Sequence, residues 1–190
     1  MKVGVRPGDL LILTRPLGSG VLFAADMRAK ARGDWLDAGI EQMLISSRDA
    51  ASCLRKFQAS ACTDVTGFGL AGHLFEMARV SVCAIEIFID RLPLYPGVAS
   101  LSRQGIASSL HPQNIRIRHS IKDTENLATH ENYPLIFDPQ TTGGLVASVA
   151  EAQAGECLQQ LRKLGYDQAQ VIGRAIARSE SERVLSLVNS

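Results

Sequence analysis

No stretch of this sequence approaches the roughly 18 consecutive apolar residues that a membrane-spanning helix requires. Its N-terminus, MKVGVRPGDLL, lacks the apolar core of a secretory signal. A cytoplasmic protein without a membrane partner is therefore expected. Charge of one sign is also missing: 20 Lys and Arg stand against 19 Asp and Glu, for a net charge of +1. That balance argues against a nucleic-acid partner, which calls for a basic excess or stripe. The densest basic run, Arg116 to His119, alternates with isoleucine and reads as an exposed edge-strand face. The four cysteines, Cys53, Cys62, Cys83 and Cys157, form no C-x-x-C pair, and no Cys/His cluster has zinc spacing. Their apolar or small neighbours fit buried, reduced thiols. A catalytic cysteine is the alternative, but no histidine lies close in sequence to any of them. His73, His111, His119 and His130 form no pair with metal-ligand spacing.

What is present is the composition of a globular protein, 46% hydrophobic and 21% charged over 190 residues. That length suits one domain with a small appendage and buries most of its surface without disulfide staples. Asp9 to Thr14 reads as a buried strand. Val21 to Ala31 reads as a helix stopped by Gly33, and Trp35 to Phe57 as one or two further helices, with Ser46-Ser47 available to cap the second. A short strand over Ala61 to Thr63 runs into Asp64, and a helix follows from Leu70 to Arg79. Val82 to Ile89 is the best strand pattern in the chain, and Gly97 to Gln104 forms a short helix. Residues 107 to 133 are irregular, with an exposed, mobile loop over 122 to 132. An apolar strand over Tyr133 to Phe137 precedes another over Leu145 to Val149. The helix from Ala150 to Leu164 aligns Ala154, Leu158, Leu161 and Leu164, with Gly165 just past its end. Strands over Gln170 to Ile176 and Val184 to Val188 close the chain. The order supports an α+β fold, α/β-like, with one mixed sheet covered by helices on both faces.

Three loops carry glycines next to polar residues. In the first, Thr14 to Gly20, Gly18 and Gly20 sit between a strand and a helix, where free N–H groups attract anions. The same pattern also suits a plain tight turn. It is not a dinucleotide fingerprint, because Phe23 stands where a third glycine belongs. About twenty residues past Gly20, Ile40 and Glu41 fall within a helix rather than at a strand end. In the second loop, Thr63 to Gly69, Asp64 offers a hard oxygen ligand for Mg²⁺ beside Thr66, Gly67 and Gly69; the alternative is that Asp64 or Thr66 merely caps the next helix. The third, Asp138 to Gly144, places Gln140, Thr141, Gly143 and Gly144 between two apolar segments. It is either a loop built for close backbone approach or an ordinary connection.

Taken together, the phrases LTRPLGSGVLFAADMRAKA, ACTDVTGFGLAGHLFEMARV and YPLIFDPQTTGGLVASV resemble, in this order, the C-terminal domain of selenophosphate synthases. The likeness runs from about Arg6 to about Ile176. Those enzymes, related to aminoimidazole ribonucleotide synthetase, a hydrogenase-maturation dehydratase and thiamine-monophosphate kinase, make selenophosphate, AMP and phosphate from ATP, selenide and water. The resemblance implies a two-domain, homodimeric protein with ATP between its domains and the phosphates held through Mg²⁺ by aspartates. Of those aspartates, only the one corresponding to Asp64 belongs to the C-terminal half. The nucleophilic Cys or selenocysteine, its adjacent Lys and the glycine-rich ATP segment belong to an N-terminal ATP-binding domain absent from this chain, so no catalytic residue carries over. The implied organisation is a tail over residues 1–6, the C-terminal-type domain over 7–178, and a strand or tail over 179–190. Gly18, Gly20, Thr66, Gly67, Gly69, Gln140, Thr141, Gly143 and Gly144 would line the cleft. The isolated chain is expected to be inactive. The alternatives are the corresponding domain of another ATP-dependent relative, or a stand-alone module that binds a partner without catalysis.

Overall fold

The computed structural model describes residues 2–123, 126–178 and 183–189. Along the chain run β1 (Asp9–Leu13), α1 (Ser19–Asp26), α2 (Gly33–Leu44), α3 (Arg48–Lys56), β2 (Ala61–Asp64), α4 (Gly69–Ser81), β3 (Cys83–Phe88), α5 (Val98–Arg103), α6 (His111–Asn114), β4 (Ile121–Asp123), β5 (Leu145–Ala150), α7 (Glu151–Lys163), β6 (Gln170–Ala177) and β7 (Leu185–Val188). All seven strands form one sheet in the order β2-β5-β1-β6-β3-β7-β4. Pairing is antiparallel except that β7 runs parallel to both β3 and β4. The sheet is therefore mixed.

Alternate strand residues feed two cores, as the pleat requires. Leu11, Leu13, Ile85 and Ile87 pack with Leu70, Leu74 and Met77 of α4 on one face. Ile12, Ala147 and Val149 pack with Leu54 of α3 and with Cys157 and Leu161 of α7 on the other. Each fully buried Leu of this kind contributes about 1.5–3 kcal/mol. A third cluster joins Val21 and Leu22 of α1 to Val98 and Leu101 of α5. In α7, Glu151 lies in the first turn and Arg162 and Lys163 in the last, matching the helix dipole. Its buried stripe is Ala154, Cys157 and Leu161. Leu158 is only partly buried against that core and Leu164 is 40% exposed, so the stripe is rotated from the one the leucine spacing suggested.

Several local expectations are corrected. Helix α1 ends at Asp26 because Ala29 turns left-handed at φ 54° and the Lys30 N–H donates back to the Ala25 carbonyl. Gly33 then opens α2 instead of stopping α1. Ile115 to Ser120 is a 3-10 segment, not an edge strand, because Pro112 starts a short helix that runs straight into it. Tyr133 to Phe137 is a 3-10 segment with Pro134 in its first turn, so the third glycine loop follows a helical turn rather than a strand. Within the segment read as a mobile loop, β4 takes residues 122–123 and Leu127–Thr129 forms a 3-10 turn; residues 124–125 lie outside the described residues. So do Met1, 179–182 and 190 of the two segments set apart as tails. Val5 is buried near Ser81 Oγ, which accepts its N–H, and Leu185 and Leu187 of β7 are buried within the sheet.

Candidate functional site

The three glycine loops adjoin neighbouring strands at one end of the sheet: the first leaves β1, the second leaves β2 and the third leads into β5 between them. Asp64, the last residue of β2, pairs with Leu145 of β5, and the Thr14 N–H beyond β1 donates to the Leu145 carbonyl at 2.9 Å. One residue further on, the Val65 N–H donates to the Gly144 carbonyl at 2.9 Å. The strand register thus sets the loops side by side before any side chain contributes.

Close packing then fixes them. A Cβ on Gly143 would stand 1.9 Å from the Val65 carbonyl oxygen, and one on Gly20 would stand 2.5 Å from Asp138 Oδ1. No other residue fits either place. Gln140 is the hub. Its backbone N–H donates to the Thr66 carbonyl at 3.0 Å. Its Oε1 accepts from Gly18 N–H at 3.0 Å, Ser19 N–H at 3.3 Å and Ser19 Oγ at 3.2 Å. Its Nε2 donates to the Asp138 carbonyl and to Asp138 Oδ2. Ser19 Oγ in turn accepts the Thr141 N–H at 2.8 Å.

Asp138 completes the clasp. Oδ2 accepts from the Gly20 and Val21 N–H groups at 3.0 and 3.2 Å, capping α1. Oδ1 is buried without a partner. Burial pushes this carboxyl up to about 7, against the opposing pull of those hydrogen bonds. The N-terminal N–H groups of α1, which the sequence marked as an anion site, are therefore already committed to Asp138 and Gln140. The first loop acts as framework.

The second loop is anchored from α4. The Thr66 N–H donates to His73 Nε2 at 3.0 Å, so Nε2 is the acceptor and the neutral ring carries its proton on Nδ1. His73 is buried, and burial lowers its pKa, with Lys2 adding to the effect and Glu76 and Asp64 opposing it. Asn114 Nδ2 donates to the Gly67 and Phe137 carbonyls. His73, Asn114, Asp138 and Arg15 were all absent from the candidate site read off the sequence. A carboxylate before proline or a histidine on an apolar helix carries no local signal of such a role.

Asp64 itself is exposed. Its carboxylate takes a hydrogen bond from Thr63 Oγ1 at 3.3 Å. It lines an open groove of about 620 Å³ between β2 and α3, beside Arg55, Cys62 and Leu145. Gly20, Gly67, Gln140 and Thr141 line a second cleft of about 450 Å³ with Phe23, Met27 and Ser108. Members of all three loops thus share a cleft, but Asp64 does not line it: Asp64 lines a different groove, and the two have no lining residue in common. Gly18 and Gly69 instead pack against Val98 and the Phe137 backbone, and Gly144 against Arg15.

Among the described residues no group of three or more His, Cys, Asp and Glu gathers as a metal cage. Mg²⁺ does not need one: it keeps several waters and binds through one or two carboxylates plus substrate phosphates. A single exposed carboxylate fits a metal shared with a phosphate ligand. Among the described residues no helix is long and apolar enough to cross a membrane.

The chain is similar to known proteins in both sequence and fold. The chain is 35% identical over 92% of its length to the selenide, water dikinase of Pelobacter propionicus, and equally so to that of Clostridioides difficile. It spans about half the length of each, 50% in both cases. Among solved structures, hydrogenase maturation protein HypE superposes with a TM-score of 0.70 at 18% identity, covering 100% of this chain and 52% of HypE. A HypE structure in complex with ATP gives 0.62 at 17% identity, covering 100% of this chain and 50% of that one. The profile of the family described as AIR synthase related protein, C-terminal domain, matches residues 6–186. With its mixed seven-stranded sheet and its three interlocked loops, the chain belongs to that family.

Proposed function

We propose that this chain is the C-terminal half of a selenophosphate synthase, which forms selenophosphate, AMP and phosphate from ATP, selenide and water. The observation that carries the proposal is the exposed Asp64 carboxylate at the end of a buried strand, facing an open groove beside three interlocked loops. The similarity to selenide, water dikinases along most of the chain supports it, as does the ATP complex of a protein with the same fold. In this reading residues 7–178 form the working domain, residues 1–6 and 179–190 flank it, and a separate N-terminal half supplies the nucleophile and the rest of the ATP site.

Asp64 would hold Mg²⁺ against the ATP phosphates, and the metal would neutralise charge that develops as the phosphoryl groups separate. The chain's own contribution is otherwise positioning. His73 and Gln140 hold Thr66 on both sides, and that fixes the loop on which Asp64 stands. Gly20, Gly67, Gln140 and Thr141 shape the wall next to the phosphates. One carboxylate is too few to bind Mg²⁺ tightly, so the chain alone is expected to be inactive and to bind Mg-ATP weakly. The complete protein is proposed to be a cytoplasmic homodimer.

The test is reconstitution. Joined to a complementary N-terminal half, the protein should release AMP from ATP only when selenide is present. ATP turnover that ignores selenide would assign the domain to another ATP-dependent relative. No turnover with a half that is active in its own full-length protein would favour a non-catalytic module.

A further inference from the structure

We propose that the turn at Thr142 and Gly143, backed by the buried guanidinium of Arg15, is a binding site for a phosphoryl oxyanion. Arg15 is 1% exposed. Its Nη1 donates to the Thr142 carbonyl at 3.0 Å, and its Nη2 donates to Ser47 Oγ at 3.0 Å and to the Ile45 carbonyl. Its Nε has no partner. Among the described residues, then, every oxygen that receives this cation is uncharged. A buried charge without a counter-ion is costly, and an anion seated nearby offsets that cost.

The peptide between Thr142 and Gly143 says where the anion sits. In a trans peptide the N–H points opposite to the C=O. The Thr142 carbonyl faces Arg15, so the Gly143 N–H points away from the guanidinium. A cation on the oxygen end polarises the unit and strengthens the donor at the other end. Among the described residues neither the Thr142 nor the Gly143 N–H donates a hydrogen bond to the protein, whereas the neighbouring Thr141 N–H is bound by Ser19 Oγ. Thr142 is exposed and held at φ 50°, a conformation that a β-branched residue adopts only where its surroundings impose it.

The turn is also in the right place. Asp64, Leu145 and Thr14 lie in one row across three adjacent strands, which at about 4.8 Å per strand sets Asp64 about 10 Å from the start of the Arg15 segment. Gly143 touches Val65, the residue after Asp64. An oxyanion on the Gly143 N–H therefore lies on the loop packed against the one that carries Asp64, with the cation behind it. The inference deepens the function proposed above and rests on it for the anion's biological identity.

The experiment is a titration of the ¹⁵N-labelled chain with sodium pyrophosphate at constant ionic strength, with sodium chloride and adenosine as separate arms. Pyrophosphate should shift the Thr142 and Gly143 amide resonances with a midpoint in the millimolar range; chloride and adenosine should leave them in place. Arg15→Met should weaken the response about tenfold or more, the scale of the Coulomb attraction between unit charges about one peptide apart in a partly buried site. Thr142→Asp places a negative charge at the same spot on an exposed, left-handed residue and should abolish the response, while Thr142→Asn should keep it. That exposed pair decides the matter if Arg15→Met does not fold. Absence of a shift in the unaltered chain, or an undiminished shift in Thr142→Asp or in folded Arg15→Met, overturns the proposal. Selenide-dependent AMP release by the reconstituted protein with no amide response would remove this site and leave the function standing. An amide response without any such AMP release would do the reverse.

Discussion

The backbone N–H of Gln140 donates to the carbonyl of Thr66 at 3.0 Å, and this bond docks the third glycine loop onto the second. Because the Gln140 side chain also satisfies Gly18 and Ser19, replacing it with alanine leaves buried N–H groups at the start of α1 without an acceptor. Gln140→Ala should lower stability by about 1–3 kcal/mol, the cost of unsatisfied buried donors. Urea denaturation of the chain measures this.

Asp138 gives the domain a pH dependence of a definite sign. Its pKa is raised from 3.8 to about 7 in the folded protein, so the folded state holds a proton that the unfolded state releases between those values. Stability from this group is complete below about pH 4 and is lost as pH rises through about 7, by up to ~4 kcal/mol. Asp138→Asn, which mimics the protonated carboxyl with its NH₂ at the orphaned Oδ1 position, should flatten that slope. Denaturation midpoints at pH 5 and pH 7.5 should differ less in the variant than in the unaltered chain.

His73 acts in the opposite direction. Its pKa is lowered in the fold, so the stability it adds is present above about pH 6.5 and declines as the solution is acidified. Protonation turns Nε2 from acceptor to donor against the Thr66 N–H. The Thr66 amide should therefore lose hydrogen-exchange protection in acid before the amides of β1 do.

Asp64 is exposed and makes only a weak internal bond, so Asp64→Asn should leave stability within about 0.5 kcal/mol of the original. In the reconstituted enzyme, AMP release should fall on the order of 10²-fold or more, since metal-mediated charge stabilisation is worth several kcal/mol. A variant that keeps full activity would remove Asp64 from the site.

Gly143→Ala tests the loop packing. The new methyl would meet the Val65 carbonyl, a backbone atom that cannot rotate away. A loss of about 1–3 kcal/mol in thermal unfolding is expected.

Long periodic elements were legible in the sequence. α4 and α7 fall where hydrophobic spacing put them, because burial on one face imposes a helical period, and β1 and β3 fall where a short apolar run and a β-branched, aromatic-rich segment marked buried strands. The apolar run Tyr133 to Phe137 misled because a buried 3-10 turn and a buried strand are equally hydrophobic over five residues; Pro134, which suits a helical first turn, was the available signal. The alternation of Ile115 and Ile117 with Arg116 and Arg118 failed for a different reason: the helix begun at Pro112 runs on as a 3-10 segment in which the isoleucines are half-buried and the arginines exposed, the same alternation an edge strand would show. At the site, glycine positions marked the loops correctly, but what each glycine avoids lies on another segment. The clash of Gly143 with Val65, and of Gly20 with Asp138, exists only after folding. The capping of α1 by Asp138 joins residues 118 positions apart, beyond the reach of any local pattern.

The placement of β7 has a consequence for biosynthesis. Ile85 pairs with Leu185, and among the described residues β4 meets the rest of the sheet only through β7. During synthesis the strands around β1 can assemble first, but β4 is left without its described neighbour until β7, which follows all the other strands in sequence, has been made. Closure of that sheet edge is therefore a late event, governed by slow long-range pairing, and until then the flank of β3 is open to chaperones and to the same strand of another nascent chain.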